Sequence, residues 1–179
     1  MVRMKELYLK KVAKDLGDKF EHKNVHSIPK ITKVVVNAGV GRASLDSKHL
    51  DTAIEVMKKV TGQAPVITKA KKSIAGFKLR EKMNIGTVVT LRGDRMYEFL
   101  DRLVNVALPR VRDFRGLNPK AFDGKGNYSL GLRDHGVFPE ISFEEASSPV
   151  SLQVNVTTTA KNDEEALALL SGLGFPFKN

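Results

Sequence analysis

The feature that most constrains the fold is the way the apolar spacing switches between two periods along the chain. Ile31 to Asn37 is a β-branched run that reads as a strand and leads into the glycine turn Ala38-Gly39-Val40-Gly41. Leu50, Ala53, Ile54, Met57 and Val60 then recur at helical spacing, with Asp46 or Ser47 as N-cap and Gly62 as stop. Strands follow at Pro65–Lys69 and Ile85–Leu91. A third helix carries Met96, Phe99, Leu100, Leu103 and Val104 on one face, with Asp94 as its cap and Pro109 near its end. Tyr128, Leu130 and Leu132 alternate again. A chain that changes period in this order makes strand-helix-strand units that must share a core. Residues 31–132 therefore predict an α+β fold: an open antiparallel sheet with helices packed on one face, ferredoxin-like or RNA-recognition-like.

Two flanking elements complete the pattern. Residues 4–20 form an N-terminal amphipathic helix with Leu9, Val12, Ala13, Leu16 and Phe20 on its face. Val150, Leu152, Val154 and Val156 alternate as a C-terminal strand. Asn162 and Glu165 stand as a capping box for a last helix, so this part spans 150–171. A length of 179 residues suits one domain, 1–179. No apolar run reaches signal or membrane-span length, so secretion and insertion are not expected. The absence of cysteine removes disulfides and thiolate metal sites and fits a reducing compartment such as the cytoplasm.

Charge supplies the next constraint. Lys and Arg number 30 against 20 Asp and Glu, a formal +10 that calls for an anionic partner. Residues 69–82 hold Lys69, Lys71, Lys72, Lys78, Arg80 and Lys82 against Glu81 alone, which leaves +5, half of the total. The segment Lys71–Asn84 has no clean period and contains Gly76, so it reads as a long, mobile loop. Phe77 and Ile74 interleave its cations as stacking or apolar contacts, and Arg110, Arg112 and Arg115 form a second basic cluster. Glu140, Glu144, Glu145, Asp163, Glu164 and Glu165 are opposed only by Lys161, which makes the C-terminal part acidic and suggests a second kind of partner.

The candidate chemical motifs do not complete. Asn37-Ala38-Gly39-Val40-Gly41-Arg42-Ala43-Ser44 has a strand before it and a helix after it, but Ser44 replaces the third glycine of a dinucleotide loop. A tight turn whose backbone N–H groups could meet an RNA phosphate is the more economical reading. Lys71-Lys72-Ser73 lacks the glycines of a nucleotide-hydrolysing loop. His22 and His26 have no third metal ligand and read as solvated, and His135 beside Asp134 has no nucleophile. Neither a metal, a cofactor nor a small-molecule substrate is expected. An enzyme on an α/β sheet is the disfavoured alternative, and a generic basic single-stranded nucleic-acid binder is the nearer one.

At this level of detail longer strings carry a resemblance. Pro29-Lys30-Ile31, Val34-Val35-Val36-Asn37 and Gly39-Val40-Gly41 are followed by the unbroken segment from Thr61 to Glu81. Val89 to Gly93, Met96 to Leu103, Leu108 to Leu117 and Gly126 to Gly131 continue it. Over nearly its whole length the sequence resembles the universal large-subunit ribosomal protein family, number five in bacterial naming, that binds 5S ribosomal RNA. It departs from that family at Asp134-His135-Gly136, at Ser147-Ser148-Pro149, and at Ala38, where a methionine is usual.

The resemblance implies a scaffold in the central protuberance of the cytoplasmic ribosome's large subunit. It implies RNA contacts by Asn37, Gly39, Gly41, Gln63 and Thr90, with Lys33, Lys69 and Arg92 around them. It assigns the loop of Lys71, Lys72, Ser73, Ile74, Ala75, Gly76, Phe77, Lys78, Arg80 and Lys82 to the peptidyl-site transfer RNA. A bridge to a small-subunit head protein falls to Arg110, Arg112, Arg115, Asp134, His135, Glu144 and Glu145. Its expected partners are 5S ribosomal RNA, large-subunit ribosomal RNA, that transfer RNA, the head protein and neighbouring large-subunit proteins, without membrane.

Overall fold

The alternation expected of Tyr128–Leu132 and Val150–Val156 is borne out in the computed structural model, which describes residues 2–22, 24–41, 48–142 and 150–178. Strand β1 (Ile31–Gly39) buries Val34, Val36 and Ala38 and leaves Val35 and Asn37 half-exposed. Strand β3 (Asn84–Leu91) buries Thr87, Val89 and Leu91. Strand β5 (Leu152–Thr158) buries Leu152, Val154, Val156 and Thr158. With β2 (Val66–Lys69) and β4 (Tyr128–Leu132) these make one open five-stranded antiparallel sheet in the order β2-β3-β1-β5-β4. β2 pairs with β3 through Val66 opposite Val88 and Thr68 opposite Gly86, and the register slips between Thr68 and Lys69. The fold is α+β, as the period switching predicts, with four helices: α1 (3–19), α2 (Lys48–Thr61), α3 (93–110) and α4 (Asp163–Gly172).

The chain divides into two compact units, each discontinuous in sequence. The first comprises residues 1–34, 91–130 and 155–179; the second comprises 35–90 and 131–154. In the first, α3 buries the predicted face Met96, Phe99, Leu100, Leu103 and Val104. A π-turn at Leu103–Ala107 widens this helix just before Pro109, which has no N–H to give to the ladder and would crowd the preceding carbonyls of a regular helix. In the second unit, α2 buries Leu50, Ala53, Met57 and Val60 as expected and adds Val56. Its predicted cap, Asp46 or Ser47, lies outside the described residues.

Several local expectations are corrected. The face of α1 is Met4, Tyr8, Val12 and Leu16, while Leu9 is 52% exposed. This stripe steps four residues at a time, which overshoots a 3.6-residue turn by about 40° per step. A π-turn at Tyr8–Val12 absorbs the drift. β1 continues two residues beyond Asn37 because Ala38 still faces inward; the turn starts only at Val40, whose N–H donates to the Ile85 carbonyl at 2.9 Å.

Asp94 does not cap α3. It stands inside the first turn and pairs with Lys5 Nζ at 2.6 Å. Asn162 makes no side-chain cap on α4, and Glu165 accepts instead from the Lys161 N–H at 3.1 Å. His22 is largely buried rather than solvated, 3.8 Å from Glu165 Oε1 and beside the Phe20 ring.

The glycine-rich loop before β4 shows where Asp163 goes. Its two carboxylate oxygens accept from the Gly124 and Gly126 N–H groups at 3.2 and 2.9 Å. Asp123 accepts from the Asn127 side-chain amide and from the N–H groups of Asn127 and Lys125. The Asn127 side-chain bond, followed by the backbone bonds, holds the Asp123 carboxyl below the usual carboxylate range. Gly126 has φ +76°, and a Cβ there would lie 2.9 Å from the Ala160 carbonyl oxygen, whereas a Cβ on Gly124 (φ +80°) would meet nothing within 4 Å.

Gly126→Ala is therefore expected to cost about 1–3 kcal/mol in urea denaturation, through both steric overlap and left-handed backbone, and Gly124→Ala only about 1 kcal/mol. Equal losses would show that the overlap at Ala160 is relieved without cost.

Tyr8 donates its hydroxyl to the Pro29 carbonyl at 3.0 Å, and burial, helped by the nearby Tyr97, pushes its pKa up to about 12. The folded state thus keeps a proton that the unfolded chain releases near 10. The contribution is fully present below pH 10 and is lost between pH 10 and 12. Stability measured across that window should fall less steeply for Tyr8→Phe than for the parent chain.

Candidate nucleic-acid interface

One-sided burial leaves the opposite side of each strand for recognition. Since Val36 and Ala38 on β1 and Val89 and Leu91 on β3 face inward, Asn37 and Thr90 emerge on the other face of the sheet. The backbones of these strands run close together: a Cβ on Gly86 would sit 2.7 Å from the Ala38 carbonyl oxygen. Gln63, between α2 and β2, donates from Nε2 to the Thr90 carbonyl across 3.4 Å, a long bond that leaves its Oε1 unused. Thr61 supports this position, since its hydroxyl bonds the Met57 carbonyl at 2.6 Å and accepts from the Gln63 N–H at 3.3 Å. Among the described residues the Asn37 amide and the Thr90 hydroxyl make no hydrogen bond. Of the three side chains predicted to act together, Gln63 meets the Thr90 backbone, and Asn37 shares the outward face with Thr90; all three belong to the second unit. Gly39 and Gly41, on the same segment as Asn37, are exposed.

The cationic segment is more ordered than a structureless loop, which corrects the sequence expectation. Its base is closed by Ala70 N–H to the Met83 carbonyl at 2.8 Å and Lys82 N–H to the Ala70 carbonyl at 2.9 Å. Ile74 and Leu79 exchange both backbone bonds, at 3.0 and 3.1 Å. A short 3-10 turn, Ala75–Phe77, forms the tip, and Lys78 follows in the left-handed region at φ +53°. The Ser73 hydroxyl is committed here, accepting from the Glu81 N–H at 2.9 Å. This order was hidden from periodicity because a two-bond bridge with a tight tip is too short to show a period.

What the hairpin presents is charge and one aromatic ring. Phe77 is 71% exposed and Ile74 46%. Lys71, Lys72, Lys78, Arg80 and Lys82 are exposed, as is Lys69 on β2, and none of these six side chains makes an ion pair or hydrogen bond among the described residues. Such an array meets phosphates with cations and a base with a ring face. Lys33 and Arg92 belong to the first unit, the former half-exposed and the latter exposed.

The residues expected to meet a head protein are dispersed in character. Arg110 at the end of α3 and Arg112 and Arg115 after it are exposed, where Asp113 (φ +54°) and Gly116 (φ +97°) turn the chain. Asp134 is exposed and caps a short turn by accepting from the Gly136 N–H at 2.8 Å. His135 is fully buried, and its Nδ1 accepts from the Val150 N–H at 3.0 Å, so its ring serves the interior rather than a partner surface. Glu144 and Glu145 lie outside the described residues, as does Ser147-Ser148-Pro149. Asp163 and Glu165 are engaged within the chain, which reduces the acidic surface expected from composition.

Outward polar side chains and an exposed cationic hairpin within one unit suit an anionic partner. Comparison with known proteins makes this specific. Residues 24–80 match the family described as ribosomal protein L5, and residues 84–177 match the C-terminal part of the same ribosomal family. The large ribosomal subunit protein uL5 of Variovorax paradoxus is 54% identical over 179 residues, covering 100% of both chains. That of Moorella thermoacetica is 54% identical over 178 residues, 99% of each. The uL5c protein of Pyropia yezoensis is 51% identical over 177 residues, 99% of this chain and 98% of the relative. The chain belongs to the ribosomal protein L5 family. It is a structural, non-enzymatic constituent of the large ribosomal subunit and resides in the cytoplasmic ribosome.

Ser73→Ala should leave the fold intact while removing the acceptor for the Glu81 N–H. Amide exchange at Glu81 is expected to report local destabilisation of roughly 0.5–1.5 kcal/mol. Unchanged exchange there would mean that the backbone bonds alone order the hairpin.

Proposed function

We propose that this chain anchors 5S ribosomal RNA within the large subunit, working as one domain over residues 1–179. The observation that carries the reading is the outward placing of Asn37 and Thr90 on their strands with Gln63 bonded to the Thr90 carbonyl, side chains that retain hydrogen-bonding capacity among the described residues. Phosphate contacts from Lys69 supply affinity that falls with salt, and in the first unit Lys33 and Arg92 offer cations of their own. The polar cluster supplies selectivity, because an exposed base edge can satisfy groups that bulk phosphate cannot.

The hairpin 71–82 serves a second RNA, the peptidyl-site transfer RNA. Its tip carries Phe77 as a stacking surface and Lys78 beside it, while Lys71, Lys72, Arg80 and Lys82 flank the backbone path. Arg110, Arg112, Arg115 and Asp134 offer the surface for a small-subunit head protein, and His135 contributes only by holding the turn.

Filter binding to 5S ribosomal RNA against an unrelated RNA of equal length, across a salt series, tests the first role. Preference for 5S ribosomal RNA by orders of magnitude is expected; equal competition would reduce the chain to a generic single-strand binder. Gln63→Ala should cost about 1–3 kcal/mol with little change in the salt slope.

Replacing Lys71 and Lys72 by Gln, or Phe77 by Ala, should leave 5S binding near the parent value. The same changes should weaken retention of peptidyl-site transfer RNA by reconstituted ribosomes. A large loss of 5S binding in those variants would overturn the division of labour.

A further inference from the structure

Within the first unit, α4 lies alongside the second half of α1 and the residues just after it, running in the opposite direction. At one end Gly172 meets Val12, so closely that a Cβ on Gly172 would stand 3.1 Å from Val12 Cγ1. At the other end His22 Nε2 is 3.8 Å from Glu165 Oε1. Between these contacts the helices leave a groove of about 460 Å³. Leu16, Phe20, Leu167 and Ala168 supply its apolar walls, and the small Ala168 and Gly172 are what keep it open. No residue of the RNA cluster or of the cationic hairpin lines it.

The rim has a definite sign. Asp15 and Glu164 are exposed at its edge, and neither makes a hydrogen bond or ion pair among the described residues. Among the described lining residues the one cation, Lys19, is drawn over the Phe20 ring, 5.5 Å from its centre. On α4 the neighbouring acids are spent, Asp163 on the glycine loop and Glu165 on the Lys161 N–H, so Glu164 is the carboxylate left over. An apolar floor edged by two uncommitted carboxylates disfavours a phosphate backbone on both counts. It suits apolar side chains flanked by positive charge, and its volume falls within the range of ordinary binding pockets.

We propose that this groove docks a segment of another protein that inserts one or two apolar side chains and presents lysine or arginine to Asp15 and Glu164. The surface is separate from those assigned to RNA, so its occupancy does not compete with them.

The test uses the full chain, isotope-labelled, titrated with two short amphipathic helical peptides that share a Leu/Phe face. One carries Arg on its flanks, the other Glu. The Arg peptide should bind saturably and weaken with salt, with amide shifts confined to residues 12–20 and 164–172. Asp15→Asn together with Glu164→Gln, both surface changes, should weaken it about three- to tenfold. Ala168→Leu should abolish binding by filling the groove, with an unchanged melting curve confirming the fold. The proposal is overturned if the Glu peptide binds equally well, if neither binds, or if Ala168→Leu has no effect. It is likewise overturned if an RNA hairpin shifts the same amides, which would make the groove an RNA site. Concentration-dependent shifts without peptide would instead assign it to a second copy of this chain.

Discussion

The placing of Asn37 and Thr90 depends on β1 and β3 being buried on one side only. A strand gives alternate residues to opposite faces, so committing Val34, Val36 and Ala38 to the interior also commits Val35 and Asn37 to the outside. The same holds on β3, where burial of Val89 and Leu91 fixes Thr90 outward. A slip of one residue in either strand would bury a polar side chain without a partner and expose a row of valines, at a cost that the rest of the core could not offset. The outward placing of Asn37 and Thr90 is thus a by-product of core packing, and needs no loop to hold it.

Polar groups inside the chain are used with economy. Asp163 and Asp123 satisfy the amides of a glycine-rich loop whose base is closed by the backbone bond from the Asp123 N–H to the Asn127 carbonyl. Thr61 and Ser73 hold Gln63 and the cationic hairpin in place through single hydroxyls. The cations of residues 69–82, by contrast, make no ion pair or side-chain hydrogen bond among the described residues, so an arriving anion would relieve their mutual repulsion.

Much of this was legible from residue order. The β-branched runs and the helical faces at 50–60 and 96–104 located the elements within a few residues, because burial there follows local periodicity. The cationic segment and the Asn37, Gln63 and Thr90 set were also named from sequence, the latter through family likeness. What misled was local chemistry with a distant claimant. Asp94 has the residue type and position of a helix cap, but Lys5 takes it; Glu165 completes a capping box on paper, yet its carboxylate reaches the Lys161 N–H and lies near His22. His135 looked like a surface residue beside Asp134 and is interior, because the Val150 N–H needs an acceptor.

By itself, then, the sequence determined the α+β class, the order of elements, the excess of positive charge and the family, since each is written in spacing, composition or long identical strings. Tertiary structure decided which polar groups are free and which are consumed. It closed the base of the hairpin around Ala70, brought Gln63 to the carbonyl of Thr90, and drew Asp163 to the glycine loop while leaving Glu164 at the edge of a groove. The reason is physical: a donor or acceptor is claimed by whichever partner the fold brings within about 3 Å, and that distance is set by packing between segments far apart in the chain.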